Sequence, residues 1–417
     1  MKNPPYKAAI PCKIGIFGLF GQQNWGNECT LQATLWNIRN YLPDSEIYCI
    51  CTNPEDTAAR FNIPSYKISA DVRSLNMNAK KGLKRWHNIL ICTLPSEIQH
   101  WFRAFDILNN TNVIIFPGTG LLTDFEGKIY GRCYEIFKWA ILSKIRRCKI
   151  IFLSMGAGPI RHPLNRLFIR LALSMADYRS YRNDHSKTYL KGIGVDVSKD
   201  AIYPDLAFSL PKGMFDRKEI DDNLVVGIGI IDYNEKYCKS DGDGFVYEKF
   251  LEKLCSFLIW LLGNKYTVRL LVGDTLYDES VKKDLKYRLQ EHVGNRYDEY
   301  ILDDPINSVE QLLIQLSSVH VVISPRLHNL ILSIMLGKPV ISLSYHEKIN
   351  SLMKDFELNE YNLEIDNLNT EELIAIFLRL IEERENLLRH IKDKEGESAR
   401  LLEVQYGYIF KDKLIWA

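Results

Sequence analysis

Residues 13–41 read KIGIFGLF, GQQNWG, NECTLQATLWNIRNY. The first block, 13–20, is a short apolar run bounded by a polar, glycine-containing loop, which predicts a buried strand. The third block, 27–41, carries Leu31, Leu35 and Ile38 at helical spacing and stops before Pro43 and Asp44, which predicts an amphipathic helix. A strand, a glycine loop and a helix are followed by a second strand over 46–52. That succession predicts an α/β layer with a parallel sheet.

The same grammar repeats outward from this unit. Residues 112–116 (NVIIF) predict a strand that ends in Pro117-Gly118-Thr119-Gly120, and residues 149–154 (KIIFLS) one that ends in Met155-Gly156-Ala157-Gly158-Pro159. Ligands in open α/β sheets sit at the carboxyl ends of strands, so this edge is the expected active edge. A polar, charged stretch over 211–223 (PKGMFDRKEIDDN) predicts the boundary between two domains, 1–212 and 213–417, with the C-terminal helix and tail packing back on the first. A second α/β series starts at Leu224, with later strands over 266–272, 320–324 and 340–343. A helix is expected over 369–390, with Asn369 and Glu372 as a capping box.

Composition limits the alternatives. The 417 residues suit two or three domains at about 100–200 residues each. Hydrophobic residues make up 46% and charged residues 25%, which excludes a disordered chain or a coiled-coil rod. Lys plus Arg is 53 against 52 for Asp plus Glu, so charge gives no reason to expect a nucleic-acid partner. The nine cysteines include no CxxC pair, so they read as reduced thiols of a reducing compartment, and no metal is expected. No leader pattern occurs in residues 1–13, and no apolar run reaches the ~18 residues of a spanning helix.

Residues 324–329 (SPRLHN) carry the most chemistry. A strand ends at Ser324, and a helix is expected to start near Arg326 and end before Gly337. Free N–H groups at that start favour an anion. Arg326 adds a two-pronged donor and His328 a group that moves protons near neutrality. From spacing alone, a surface Arg and a buried, hydrogen-bonded His are an equal alternative. Lys348 lies at the same sheet edge, where a lone surface Lys is the commoner explanation. Arg182 precedes another helix-like segment, and Gly26 in Asn24-Trp25-Gly26-Asn27-Glu28 permits close backbone approach. An exposed loop arginine and a simple turn explain these two as well. Arginines 161, 166, 170, 179 and 182 alternate with apolar residues, and Lys80, Lys81, Lys84 and Arg85 form a second basic group. Either suits an anionic membrane face or a solvated helix face.

Taken together these segments resemble the polysaccharide pyruvyl transferase family. Ser324-Pro325-Arg326-Leu327-His328, Gly337-Lys338-Pro339 and Tyr345-His346-Glu347-Lys348 are similar to its S-x-R-L-H, G-x-P and Y-x-x-K blocks. Asn24 to Glu28 resembles its N-x-G-D-E, with Asn27 where Asp is usual. Gly118 to Asp124 resembles its G-G-G-x-x-x-D loop, and Met155 to Ile160 its G-x-G-P-I loop. Arg182, Asp184 and Ser186 resemble its R-D-x-x-S, and Asp205 to Phe208 its D-P-A-F.

The resemblance implies two Rossmann-like domains facing a cleft, as in glycosyltransferase-B-like enzymes. It implies transfer of pyruvate from phosphoenolpyruvate to two hydroxyls of a sugar as a ketal, with no further cofactor. The acceptor is a polysaccharide or its lipid-linked precursor, placing the enzyme in exopolysaccharide or capsule synthesis at the inner membrane face. It makes His328, Arg326 and Arg182 the catalytic candidates, and Arg182, Arg326, Leu327, His328 and Lys348 the donor-binding ones. Asn24, Gly26, Asn27, Glu28, Gly118, Gly120 and Asp124 are the acceptor-binding candidates. Two other readings stand beside this one: a nucleotide-sugar glycosyltransferase of the same fold, and a non-catalytic sugar-binding relative.

Overall fold

The computed structural model describes residues 12–70, 94–124, 131–211, 213, 224–233, 245–294 and 297–411. Among these residues, thirteen strands form two wholly parallel sheets, each flanked by helices. Lys80, Lys81, Lys84 and Arg85 lie outside the described residues.

The first sheet has the order β3-β2-β1-β4-β5-β6-β7. Its strands are β1 (Lys13–Gly18), β2 (Glu46–Cys51), β3 (Ser65–Lys67), β4 (Val113–Pro117), β5 (Lys149–Met155), β6 (Tyr178–Tyr181) and β7 (Ala201–Ile202). The second has the order β10-β9-β8-β11-β12-β13. It holds β8 (Val225–Ile230), β9 (Thr267–Val272), β10 (Ile301–Leu302), β11 (Val321–Ser324), β12 (Val340–Ser344) and β13 (Asn362–Glu364). The central strands are buried along nearly their whole length. That is the signature of a parallel sheet covered on both faces. In the first core, Phe116 stacks on Phe152 at 4.5 Å and Phe17 meets Phe116 at 4.9 Å.

In both sheets the strand order reverses beside the first strand, at β1/β4 and at β8/β11. The crevice beyond the carboxyl ends of the strands at such a switch point is where open α/β sheets take ligands. The Gly118 loop follows β4, and Arg326 follows β11.

The chain divides into two compact units, drawn differently from the expected boundary at 212. Among the described residues the first holds those in 12–22, Thr34–Pro204 and 404–411, and the second those in Gln23–Ala33 and Asp205–Glu403. The chain passes to the second unit at Asp205 because Leu206, Ala207 and Phe208 are buried there. Phe208 stacks on Phe356 at 5.3 Å. Gln23–Ala33 joins the second unit through backbone pairing: Trp25 N–H donates to the Gly273 carbonyl (3.1 Å) and Thr275 N–H to that of Gln23 (3.2 Å).

The helix expected over 369–390 is two helices, Thr370–Glu382 and Arg384–Phe410. Asn369 caps the first, accepting from the N–H groups of Glu371 and Glu372. The second runs on to residues of the first unit, where Gln405 donates to Ser180 Oγ at 2.6 Å. Among the described residues no helix is long and apolar enough to cross a membrane.

Candidate functional site

The helix Leu327–Met335 follows β11 after two residues, with Arg326 at its N-cap position. Ser324 Oγ accepts the Arg326 N–H at 3.0 Å and so fixes the turn. The Arg326 side chain runs past Gly273, where an added Cβ would lie 3.0 Å from its Cγ. It ends on Asp278, with Nε donating to Oδ2 at 3.0 Å and Nη2 donating to Oδ1.

Asp278 is fully buried. Its carboxylate also accepts from the backbone N–H groups of Asp232 (3.2 Å), Gly273 (3.2 Å) and Asp274 (2.9 Å). Burial opposes the charge on the Arg326 guanidinium, but Asp278 outweighs it and holds the pKa above its ordinary value. The two-pronged face expected to meet an anion is therefore engaged by an internal carboxylate, and one Nη remains outside that pair. A buried arginine needs such a partner, because an unpaired charge out of water costs several kcal/mol.

His328 sits in the first turn of the same helix. Its imidazole lies against Gly26, where an added Cβ would fall 2.0 Å from Nδ1. Its Nε2 lies 3.9 Å from Asp205 Oδ2, with the His328 side chain 20% exposed and that of Asp205 2%. The other Asp205 oxygen accepts from the Ala207 N–H at 3.1 Å, capping the short helix Leu206–Ser209. Asp205 appeared in the sequence only as part of a family-like segment. The fold makes it the carboxylate beside the histidine.

Asn24 to Glu28 supports this arrangement from within the second unit. Asn24 Nδ2 donates to Asp274 Oδ2 at 2.8 Å, and its Oδ1 accepts from the Asn27 N–H at 3.3 Å. Both ends of the amide are thus committed to positioning. Trp25 is buried and donates from Nε1 to Thr275 Oγ1 at 3.0 Å. Glu28 is buried and Asn27 half-buried. Burial pushes the Cys29 thiol well up, and Glu28, Asp205 and Glu310 add to the effect. Burial also raises the Asp274 carboxyl, with Arg326 and Asn24 acting against it.

Leu327 is buried in the helix start. Lys348 is the second residue of helix Glu347–Asp355, which follows β12, the neighbour of β11. Its Nζ lies 5.8 Å from the Tyr345 ring centroid, and His346 Nδ1 accepts its backbone N–H at 3.2 Å. Burial raises the Tyr345 phenol, and Arg326 pulls it the other way.

The remaining candidates belong to the first unit. Asp124 Oδ1 and Oδ2 each accept from the Arg161 N–H at 2.8 Å. Oδ2 accepts also from the His162 N–H (2.9 Å) and Asn165 Nδ2 (3.3 Å). Burial raises this carboxyl, but the N–H groups of His162 and Arg161 outweigh it and hold the pKa below the ordinary range. Asp124, a candidate for acceptor binding, is thus occupied by the chain itself. Gly118 is a close-packing position: a Cβ there would lie 2.2 Å from the Ser154 carbonyl oxygen. Around Gly120 there is open space, and its carbonyl accepts from Arg132 Nη1 at 2.9 Å. The Arg182 guanidinium lies over Gly156, where a Cβ would fall 2.6 Å from Nη2. Its backbone N–H donates to the Met155 carbonyl at 3.0 Å.

So the fold gathers Arg326, His328, Lys348 and Asn24 to Glu28 in one unit. Gly118, Gly120, Asp124 and Arg182 lie in the other. Asp205, Asp274 and Asp278 were not singled out by spacing, since each meets its partner only through tertiary structure.

The sequence model of the polysaccharide pyruvyl transferase family matches residues 24–347. No curated protein sequence matches the chain. Among solved structures, a Listeria monocytogenes protein assigned as a UDP-N-acetylglucosamine 2-epimerase is similar with a TM-score of 0.62 at 13% identity, over 97% of this chain and 98% of that one. The Neisseria meningitidis UDP-GlcNAc 2-epimerase bound to UDP-GlcNAc gives 0.57 at 12% identity, covering 96% and 100%. Anabaena Alr3699/HepE in complex with UDP and glucose gives 0.58 at 12% identity, covering 97% and 100%. At such identities the likeness is one of fold: two parallel-sheet α/β units of the glycosyltransferase-B-like class.

Proposed function

We propose that this chain, which belongs to the polysaccharide pyruvyl transferase family, moves the pyruvyl group of phosphoenolpyruvate onto two hydroxyls of a sugar in a polysaccharide or its lipid-linked precursor. The observation that carries the reading is the start of helix Leu327–Met335. There Arg326 is locked by Asp278, and His328 stands between Gly26 and Asp205.

In the proposed reaction a proton reaches the methylene carbon of phosphoenolpyruvate, and positive charge develops at C2. One sugar hydroxyl attacks C2, the C2–O bond to phosphate breaks, and the second hydroxyl closes the ketal. Of the two hydroxyl protons consumed, one balances the new methyl group and the other leaves with phosphate. His328 is the proposed acid and base, since imidazole exchanges protons near neutral pH. Asp205, 3.9 Å away, is proposed to hold it in position. The start of helix Leu327–Met335, the Arg326 Nη outside the Asp278 pair and Lys348 are proposed to receive the anionic donor. Donor enters as co-substrate with no separate cofactor. The seven free, buried cysteines among the described residues support a reducing compartment, which we propose is the cytoplasm. The product belongs to exopolysaccharide or capsule synthesis.

The test is thermal stability with phosphoenolpyruvate set against UDP-sugars, followed by turnover with diol-bearing sugar acceptors. A ligand that binds only the folded chain raises the melting temperature. Stabilisation by phosphoenolpyruvate, with phosphate release lost in His328→Gln, is the expected result. Stabilisation by a UDP-sugar alone would replace the reading with nucleotide-sugar transfer.

A further inference from the structure

One face of the first sheet is covered by three helices packed side by side: Leu94–Ile107, Arg132–Ile145 and Pro163–Ser174. Trp101 Nε1 donates to Tyr134 Oη at 2.9 Å, joining the first to the second. Phe137 stacks on Phe168 at 5.3 Å, joining the second to the third. Right-handed crossovers place all three on the same side of the sheet.

The third helix is apolar on two opposite sides. Asn165, Ile169, Ala172 and Leu173 face inward and are buried. Leu164, Leu167 and Leu171, at one-turn spacings, face outward and keep 37%, 43% and 41% exposure. A single exposed leucine needs no explanation, but a ridge of three on one helix does. On the first helix Ile98 and Phe102, one turn apart, are 50% and 67% exposed.

Along the third helix the charge has one sign, while the exposed Asp106 of the first helix stands 3.8 Å from Arg146. Arg161, Arg166 and Arg170 are exposed at and along the third helix, which contains no acidic residue. Arg166 Nε donates to the Ile160 carbonyl at 2.7 Å, a contact that leaves its charge uncancelled. The nearby acids of the second-helix seam are spent internally: Glu97 and Glu135 each hold the buried Lys138 Nζ at 2.8 Å. Asp124 is used by backbone N–H groups.

We propose that this three-helix face docks on an anionic lipid bilayer, the leucine ridge entering the boundary between headgroups and acyl chains while the arginines meet lipid phosphates. The inference names a partner surface for the chain and does not rest on the pyruvyl-transfer reading. The charge pattern decides between occupants: a second copy of this chain would bring the same arginines against themselves, whereas an anionic surface complements them.

The experiment is flotation of the full chain with vesicles of phosphatidylcholine alone and of phosphatidylcholine mixed with phosphatidylglycerol. Association with the mixed vesicles alone is expected, and it weakens at high salt as the charges are screened. Two variants are compared, Leu164→Gln/Leu167→Gln/Leu171→Gln and Arg161→Gln/Arg166→Gln/Arg170→Gln, each checked for an unchanged melting temperature. Each should lose roughly tenfold or more in vesicle partitioning. If the leucine variant misfolds, the arginine variant carries the test alone. Equal binding to both vesicle types, no binding by the parent chain, or undiminished binding by a folded variant would overturn the proposal. So would a dimer in solution that the leucine variant converts to monomer, which would make the ridge a self-association surface.

Discussion

The junction after β4 and the junction after β11 occupy the same place in their two sheets, beside the strand where the order reverses. Each carries a polar residue that the sequence offered as functional. In the first, Asp124 turns inward and takes up three kinds of donor from the following loop and helix. In the second, Arg326 turns inward to Asp278 in the same manner, and His328, two residues on, packs its ring against Gly26. It stands against a glycine and 3.9 Å from a carboxylate, its side chain 20% exposed. A polar side chain whose hydrogen-bonding groups are met within the chain does architectural service. One whose orientation is set by a close-packed glycine and a nearby carboxylate is a candidate for chemistry.

The comparison can be broken most directly at Arg326. Arg326→Ala strands the buried Asp278 charge, and chemical denaturation should read a loss of about 3–5 kcal/mol. A loss below about 1 kcal/mol would mean that the pair is not structural and that the fork is free for a ligand. The same reasoning makes Arg326→Ala a poor test of donor binding and His328→Gln a better one.

Gly26→Ala comes next. A Cβ 2.0 Å from His328 Nδ1 has no room, so the ring must move while the helix stays. Turnover should fall about a hundredfold, the order expected for a misplaced catalytic group, with little change in melting temperature. Normal turnover would remove the imidazole position from the mechanism.

Asp124→Asn should cost about 1–3 kcal/mol of stability, since charge-assisted bonds become weaker or unmet. Turnover per folded molecule should survive. The pH dependence gives a second reading. The folded carboxyl lies below its ordinary value, so its contribution is present above the unfolded pKa of about 3.9. It is lost as pH falls through the folded pKa. The variant should lack that acid-side loss in a series of melting curves.

Asp205→Asn tests whether the second junction has its own positioning carboxylate. Turnover should drop roughly tenfold to a hundredfold, while stabilisation by phosphoenolpyruvate persists. Loss of donor stabilisation instead would make Asp205 part of the binding frame. The smallest effect is expected at Gly120→Ala, where the new methyl group meets open space. Stability should change by less than about 0.5 kcal/mol. A selective rise in the acceptor KM would return the Gly120 loop to the acceptor site.

Much of the fold was legible because its cause is local. Strands at residues 13–20, 46–52, 149–154 and 340–343 were readable from short apolar runs, and Asn369 from its capping chemistry. The Asn369 helix ended early, since Glu383 closes it and a second helix begins at once, a change that apolar spacing alone does not mark. At the candidate site, the place of Arg326 and His328 at a helix start was legible from the strand end before them and the Gly337 stop after. The unit to which Asn24–Glu28 belongs was not.

The sequence by itself determined the alternating α/β pattern, the family and the two residues, Arg326 and His328, around which the proposed chemistry turns. Periodicity, turn residues and motif spacing act over a few residues and are written in order along the chain. Only the tertiary structure decided that Asn24 meets Asp274, 250 residues away, and that the Arg326 fork closes on Asp278, 48 residues away. It also decided that Gly26 is the space the His328 ring fills. Such partners are brought together by burial and by the need to pair every polar group that leaves water, and neither force leaves a mark in sequence spacing.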